Sequence, residues 1–346
     1  MKIIENYDLT KLNTFGISAK ANLFVELEDE SDLEELLKSP EFKNNEKLFL
    51  GGGSNVLFIK DFKGIVVLNK LKGIEISKED SENVLVRAMG GEMWHDLVMF
   101  IVEKGYWGIE NLSLIPGTVG AAPIQNIGAY GVELKDILEN VEVYEIETGE
   151  KRVFKKDECE FGYRESIFKN KVRGKYFISA VTLRLNKEKI ENTSYKMLQE
   201  YLDKNEIKIN NPKDVSDAVV AIRKSKLPDP KVFGNAGSFF KNVYIEKEKF
   251  ENLLKLHDDM PFFKEGDGMI KIPAGWLIEK CGPRQGGASW KGYRIGNVGV
   301  HEKQALVLVN YGGATGEEVM NLSKQIIDSV SSKFGLVLER EVNLIS

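Results

Sequence analysis

Apolar and polar positions follow two rhythms along this chain. Leu48-Phe49-Leu50, Ile65-Val66-Val67-Leu68 and Val84-Leu85-Val86-Arg87-Ala88 are short apolar runs that read as strands. Val141-Glu142-Val143-Tyr144-Glu145-Ile146 alternates as a half-buried strand does, and so does Phe177 to Leu185. Helical spacing governs Glu92 to Lys104, where Met93, Trp94, Leu97, Val98 and Ile101 form one face and Gly105 ends the run. Ser31-Asp32-Leu33-Glu34 predicts a capping box opening a short helix through Leu37, closed near Pro40. A helix is expected over Val215 to Lys226, stopped by Leu227-Pro228-Asp229-Pro230. Others are expected over Glu246 to Leu256, Ala274 to Cys281 and Gly316 to Phe334. Thr315-Gly316-Glu317-Glu318 caps the last of these and Gly335 ends it. From Glu188 to Pro212 the chain turns polar and loses strand rhythm, which places a domain boundary between 13–187 and 188–346. There is no repeat and no regular alternation of strand and helix, so the expected class is α+β.

Composition narrows the partners. The 346 residues are 42% hydrophobic and 29% charged, as in ordinary globular proteins, and can bury a substantial core. A net charge of −5 leaves no basic footprint for nucleic acid or a membrane surface. No apolar run approaches the roughly 18 residues of a membrane span, and the first residues lack a signal peptide's apolar core. Two cysteines, Cys159 and Cys281, in so long a chain point to buried thiols in a reducing compartment, the cytoplasm. The three histidines are not spaced with cysteines or acids as metal ligands would be, so no metal is expected; His95 and His257 read as helix-surface residues.

Candidate chemistry concentrates in two glycine-rich segments. Residues 115–131, Ile115-Pro116-Gly117-Thr118-Val119-Gly120-Ala121-Ala122-Pro123-Ile124-Gln125-Asn126-Ile127-Gly128-Ala129-Tyr130-Gly131, hold four glycines and two prolines and no charged side chain. A plain turn needs only two or three such residues. Glycines at this density let a backbone approach a ligand and aim peptide N–H groups at a pyrophosphate. The second segment, Gly51-Gly52-Gly53-Ser54-Asn55-Val56-Leu57, follows the strand 48–50 and suits a phosphate clamp of backbone, hydroxyl and amide; a tight hairpin would look similar. Its spacing is neither a dinucleotide-binding G-x-G-x-x-G nor a P-loop.

These segments, together with further motifs, resemble the UDP-N-acetylenolpyruvoylglucosamine reductases of bacterial cell-wall synthesis. The resemblance begins at Asn13-Thr14-Phe15-Gly16-Ile17. It passes through both glycine segments, Phe161-Gly162-Tyr163-Arg164-Glu165-Ser166-Ile167-Phe168-Lys169 and Lys226-Leu227-Pro228-Asp229-Pro230-Lys231. It continues in Gly234-Asn235-Ala236-Gly237-Ser238-Phe239-Phe240-Lys241-Asn242, Ala274-Gly275-Trp276-Leu277-Ile278-Glu279 and Val300-His301-Glu302-Lys303-Gln304-Ala305-Leu306. It closes with Leu338-Glu339-Arg340-Glu341-Val342. Thr193-Ser194-Tyr195-Lys196 is similar to the tyrosine loop of the family's first subtype. Nearly the whole chain is covered in the family's order. One stretch departs: Pro283-Arg284-Gln285-Gly286-Gly287-Ala288-Ser289 stands where the family usually has little or nothing, and is expected to be a surface excursion, the alternative being a contact with the substrate's uridine or the NADPH ribose.

The resemblance implies an N-terminal FAD-binding domain of the vanillyl-alcohol oxidase and p-cresol methylhydroxylase type. A C-terminal substrate domain would follow, with the tail returning to the active site. It implies NADPH as hydride donor, non-covalent FAD, and reduction of UDP-N-acetylglucosamine enolpyruvate to UDP-N-acetylmuramate for peptidoglycan, hence for cell shape and division. A monomeric enzyme without nucleic-acid or membrane partners is expected. Hydride addition to the terminal vinyl carbon leaves a carbanion delocalised onto the substrate carboxylate, so the site needs cationic donors there and a proton for the other carbon. Arg164 matches the carboxylate role, Ser238 the proton donor, and Glu341 the proton-delivery end, in preference to Glu339. Tyr195, Lys226, Asn242 and Gln304 match positions that hold the sugar nucleotide. Gly51, Gly53, Ser54, Asn55, Val56, Gly117, Thr118, Gly120, Ala121, Asn126, Gly128 and Tyr130 are expected to meet FAD, with Arg223, one turn before Lys226, facing the flavin. Two other readings stay open: a sugar or alcohol oxidase of the same fold, and a non-catalytic nucleotide-binding module. The first often binds flavin through His or Cys, which neither glycine segment contains; the second has no use for the Arg164, Ser238 and Glu341 set.

Overall fold

The computed structural model describes residues 1–190, 192–266, 268–283 and 289–346. The chain divides into two compact units. One comprises Met1–Tyr7, Ala21–Gly53 and Phe62–Ser225; the other comprises Asp8–Lys20, Ser54–Asp61 and Lys226–Ser346. The compact division therefore falls at Ser225, later than the expected boundary at 188, and two N-terminal segments belong with the C-terminal unit. The polar stretch contains the helix Lys196–Lys204, which buries Leu198 and Leu202 and packs Met197 and Tyr201 beside them.

The first unit holds two sheets. In the four-stranded one, Phe62–Asn69 runs parallel to both neighbours, Lys20–Leu27 and Lys47–Leu50. A strand covered on both faces has no polar side to present, and all of its residues but Lys63 are buried. Helix Glu30–Lys38 packs Leu33, Leu36 and Leu37 against Val25, Leu27, Ile65 and Val67. Its capping residue is Asp29, with Asp32 reaching back, so the helix begins ahead of the expected box at Ser31. The five-stranded sheet is antiparallel, in the order Lys151–Lys155, Leu138–Glu145, Tyr176–Asn186, Asn83–Met89, Ile74–Glu79. Helix Trp94–Glu103 buries Trp94, Leu97, Val98, Ile101 and Val102 in a core shared with Val84, Val86 and Leu183. Helices Lys196–Lys204 and Pro212–Lys226 close a third cluster around Trp107.

In the second unit small sheets surround the helix Gly316–Phe334, capped by Thr315 and Glu318 and ended by Gly335 in the left-handed region at φ 63°. Asn343–Ile345 pairs in parallel with Val56–Phe58. Gly316 has to be glycine, since a Cβ there would overlap the Phe58 carbonyl. Cys159 and Cys281 are buried free thiols. No helix among the described residues is long and apolar enough to cross a membrane. The expected excursion at 283–289 lies, from Arg284 to Ala288, outside the described residues.

Candidate active site

The two glycine segments meet within the first unit. A Cβ on Gly52 would lie 3.0 Å from the Gly117 Cα, and one on Gly51 would overlap Thr118 Oγ1. Gly53 at φ 60° and Gly117 at φ 121° adopt backbone that side chains disfavour. Beside them lies a groove of about 510 Å³ lined by Gly51, Gly52, Asn69, Lys70, Gly91 and Thr118. Thr118 Oγ1 is sealed from solvent without a hydrogen-bond partner among the described residues. A glycine-walled groove with an unsatisfied hydroxyl and two lysines, Lys70 and Lys72, beside Glu28, fits a phosphate-bearing cofactor such as FAD. Asn69, Lys70 and Gly91 were not among the sequence candidates. The available signal was Gly90-Gly91, a glycine pair directly after the strand Asn83–Met89.

The long segment is not an open nest throughout. Val119–Gln125 forms a 3₁₀ helix, and the Val119 and Gly120 amides donate to the Glu92 and Gly90 carbonyls, both at 2.9 Å. Gly120 therefore serves backbone packing, since a Cβ would lie 3.1 Å from Gly90 Cα and the Ile178 carbonyl. Ala121 stays exposed beyond it. Asn126 also bonds within the fold. It is fully buried; Nδ2 donates to Glu133 Oε2 (2.9 Å) and the Gly162 carbonyl (3.0 Å), and Oδ1 accepts from the Lys135 amide (3.0 Å). Its amide is spent on supporting the turn that carries Arg164.

That turn is closed by reciprocal bonds between Gly162 and Glu165, at 3.1 and 3.2 Å, with Arg164 held at φ 56°. Left-handed backbone costs a non-glycine residue about 1–2 kcal/mol and persists where its surroundings impose it. Here Lys169 Nζ donates to the Arg164 carbonyl, and Arg164 Nη2 donates to the Gly128 carbonyl, each at 2.8 Å, which fixes the guanidinium plane. A Cβ on Gly128 would lie 3.1 Å from Arg164 Nη1, so that glycine makes room for the arginine. Arg223 belongs to the same neighbourhood. Burial pushes its guanidinium below its usual range, Tyr130 opposes the shift, and the like charge of Arg164 adds to it. Arg223 Nε is buried without a partner among the described residues. Two guanidinium groups that repel one another, one of them short of a hydrogen bond, are suited to an anion. Tyr130, at φ 49°, and Tyr195 stand edge to face with ring centroids 5.5 Å apart beside them, and burial raises both phenols.

The second unit gathers the other candidates. Gly237 turns at φ 67°, its amide bonded to Asn235 Oδ1 at 2.9 Å, and presents Ser238 at the head of an extended segment. That segment lies between two others. The Phe239 amide donates to the Leu306 carbonyl (2.7 Å) on one side, and the Glu341 amide donates to the Phe239 carbonyl (2.8 Å) on the other. Ser238 and Glu341 are thus brought onto neighbouring extended segments. Asn55 Nδ2 donates to the Glu341 carbonyl at 3.3 Å, and the Asn343 amide donates to the Asn55 carbonyl at 3.1 Å, so Asn55 and Val56 anchor the returning tail; Ser54 is half-buried just before them. Glu339 is 73% exposed and ion-paired with Lys241 at 3.3 Å, whereas Glu341 is half-buried. Asn13-Thr14-Phe15 braces the Ser238 turn: Thr14 Oγ1 donates to the Asn235 carbonyl at 2.6 Å. Asn242 Oδ1 accepts from the Ala274 amide at 3.1 Å, and Gln304 Oε1 would lie 3.5 Å from a Cβ on Gly275, so both meet the start of helix Ala274–Glu279. Lys226 ends its helix, half-buried.

The histidines correct an expectation. His95 Nδ1 accepts from the Leu114 amide at 3.1 Å, and burial lowers its pKa, against Asp96. His257 wedges against Phe334, with ring centroids 4.8 Å apart. Neither is an ordinary surface residue. Among the described residues no group of His, Cys, Asp and Glu could hold a metal ion.

Comparison with known proteins agrees with this geometry. Residues 229–345 match the family described as UDP-N-acetylenolpyruvoylglucosamine reductase, C-terminal domain, and residues 21–154 match the FAD binding domain family. The UDP-N-acetylenolpyruvoylglucosamine reductase of Flavobacterium johnsoniae is 48% identical over 346 residues, covering 100% of both chains. That of Amoebophilus asiaticus is 48% identical over 345 residues, also covering 100% of each. The crystal structure of the reductase from Thermus caldophilus shares the fold, with a TM-score of 0.65 at 22% identity over 100% of this chain and 98% of that one.

Proposed function

The chain belongs to the UDP-N-acetylenolpyruvoylglucosamine reductase family, and we propose that it carries out that reaction with the residues described above. It is a flavin-dependent oxidoreductase that uses NADPH and reduces UDP-N-acetylglucosamine enolpyruvate to UDP-N-acetylmuramate in peptidoglycan precursor synthesis. Its first unit carries the α+β FAD-binding fold of the vanillyl-alcohol oxidase and p-cresol methylhydroxylase type. The single observation carrying this reading is identity of 48% along the whole chain to reductases of that name, which also sets aside the oxidase alternative.

FAD, when bound, supplies the hydride that NADPH has delivered. Gly51, Gly53, Gly117 and Thr118 would hold its diphosphate against the groove, with Ser54, Asn55, Val56, Ala121, Gly128, Tyr130 and Arg223 around the rest. Arg164, its plane fixed by the Gly128 carbonyl, binds the substrate carboxylate and stabilises the charge that gathers there after hydride addition. Ser238 holds a proton at Oγ for the adjacent carbanion, and Glu341 shares that proton-delivery end. Lys226, Asn242, Gln304 and Tyr195 hold the sugar nucleotide. The FAD domain is 13–187 in this reading, followed by a substrate domain over 188–346. The enzyme acts as a monomer in the cytoplasm, where NADPH and nucleotide sugars are made, and needs neither nucleic acid nor membrane.

A purified sample tests this directly. The protein should be yellow, bleach with NADPH, and regain its colour anaerobically only with the enolpyruvyl sugar nucleotide. Colour returned by simple alcohols or sugars under the same conditions would refute it.

A further inference from the structure

The Tyr130–Tyr195 pair is held by a residue that the reaction scheme does not use. Asn111 sits in the single turn Glu110–Leu112 and is 1% exposed. Its Nδ2 donates to two carbonyls, that of Tyr130 at 2.8 Å and that of Asn192 at 2.7 Å. Tyr130 lies at the end of the glycine-rich segment in left-handed backbone, and Asn192 lies three residues before Tyr195. One side-chain amide thus ties that segment to the tyrosine loop, and between its two anchors the rings meet at 5.5 Å. Gly131, at φ 84°, allows the approach: a Cβ there would lie 3.8 Å from Tyr195 Cβ and 3.9 Å from Asn192 Oδ1. Among the described residues between Asn186 and Lys196 the loop has no strand or helix of its own to hold it. Asn111 Oδ1 is buried with no partner among the described residues. A buried acceptor left unsatisfied is a cost, so the two donors are the useful part of this side chain.

We propose that Asn111 is a positioning residue for the substrate: it fixes the Tyr130–Tyr195 wall in the conformation that meets the sugar nucleotide. The inference rests on the assignment of Tyr195 to substrate binding. With Tyr195 still 39% exposed, the wall presents an open aromatic face to a ligand. Without the amide, the loop spends more time away from Tyr130, and apparent affinity falls by the fraction of closed loop that is lost. Proton delivery at Ser238 makes no use of Asn111, so turnover at saturation should persist.

The test is a double-mutant cycle on the FAD-loaded enzyme, using Asn111→Ala, Tyr195→Ala and the pair. Asn111→Ala should raise KM for the enolpyruvyl sugar nucleotide by about three- to tenfold, the worth of one net hydrogen bond, with kcat within about twofold. Tyr195→Ala should raise KM by itself, and adding Asn111→Ala to it should change KM little more, because both act through one loop. Additive effects, or an unchanged KM in Asn111→Ala while Tyr195→Ala raises it, would overturn the proposal alone. An unchanged KM in Tyr195→Ala would bring down the assignment of Tyr195 and the inference with it. Asn111→Leu, which keeps the volume and lacks the donors, should behave as Asn111→Ala does. Loss of bound FAD from both variants would make Asn111 a residue of the fold and end the proposal.

Discussion

Gly51 and Thr118 face one another so closely that a Cβ on the glycine would overlap the threonine hydroxyl. The two glycine segments, far apart in sequence, therefore form one cradle, and each residue depends on the smallness of the other. Each segment could be read from the sequence by its glycine density, though not that the two touch.

The first prediction follows from this contact. Gly51→Val and Gly117→Leu should fold and lose FAD, the former through the clash with Thr118 and the latter because φ 121° is closed to a branched side chain. Flavin absorbance per protein, read beside circular dichroism, checks it. A folded Gly117→Leu protein that kept its full yellow colour would remove the cradle as the binding site.

Much of the fold was legible because periodicity and caps are local. Helix Gly316–Phe334 was visible end to end from Thr315, Glu318 and Gly335. The helix Lys196–Lys204 was not: Met197, Leu198, Tyr201 and Leu202 repeat at helical spacing, but the run is short, set in a polar stretch, and buried only against Trp107 and helix Pro212–Lys226. Arg164, Ser238 and Glu341 enter as candidates through the resemblance alone, since no local rule distinguishes Glu341 from Glu339. The hydrogen bonds of Asn126 to Glu133, Gly162 and Lys135 were not legible, since a buried amide and a ligand amide look alike in sequence. Asn69 and Lys70 escaped notice because they end and follow the buried strand Phe62–Asn69 and border the groove only through tertiary packing.

The tyrosine loop gives a second prediction. Tyr195→Phe keeps the ring edge to face with Tyr130 and removes the hydroxyl. It should raise KM for the sugar nucleotide by a few-fold, about one hydrogen bond's worth, and leave kcat nearly intact. Steady-state kinetics decide; a collapsed kcat at unchanged KM would instead move Tyr195 into the chemistry.

Glu110 gives a prediction about stability. Its carboxyl is 1% exposed, and burial pushes its pKa up to about 7 from an ordinary 4.5, against hydrogen bonds from the Gly108, Ile109 and Glu110 amides. The folded protein thus binds this proton more tightly than the unfolded chain does. The stability linked to it is complete below the unfolded pKa near 4.5 and is lost as pH rises through the folded value near 7. Glu110→Gln mimics the protonated form, so it should match the parent at pH 4.5 and be the more stable at pH 8, by an amount on the order of 3 kcal/mol. Thermal unfolding across this range measures it. A parent whose stability did not fall more steeply than that of the variant between pH 4.5 and pH 7 would show that Glu110 stays ionised in the fold.

The last prediction separates the two halves of the reaction. The Glu341 amide bond to the Phe239 carbonyl sets Ser238 and Glu341 on adjacent segments, so either could touch the carbon that needs a proton. Ser238 is asked only to protonate that carbon, a demand that arises after NADPH has been consumed. Ser238→Ala should therefore bleach with NADPH at close to the normal rate. Return of its colour with the enolpyruvyl sugar should then be slow by about 10²–10⁴-fold, the usual worth of a general acid. Ser238→Cys should recover part of that rate, because a thiol is a stronger acid than a hydroxyl, although its larger sulfur displaces the proton. Glu341→Gln should lower the same half without touching the first. Stopped-flow absorbance measured on each half separately settles the matter. Equal slowing of both halves in Ser238→Ala would mean that Ser238 shapes the flavin site, and the donor would then be sought at Glu341.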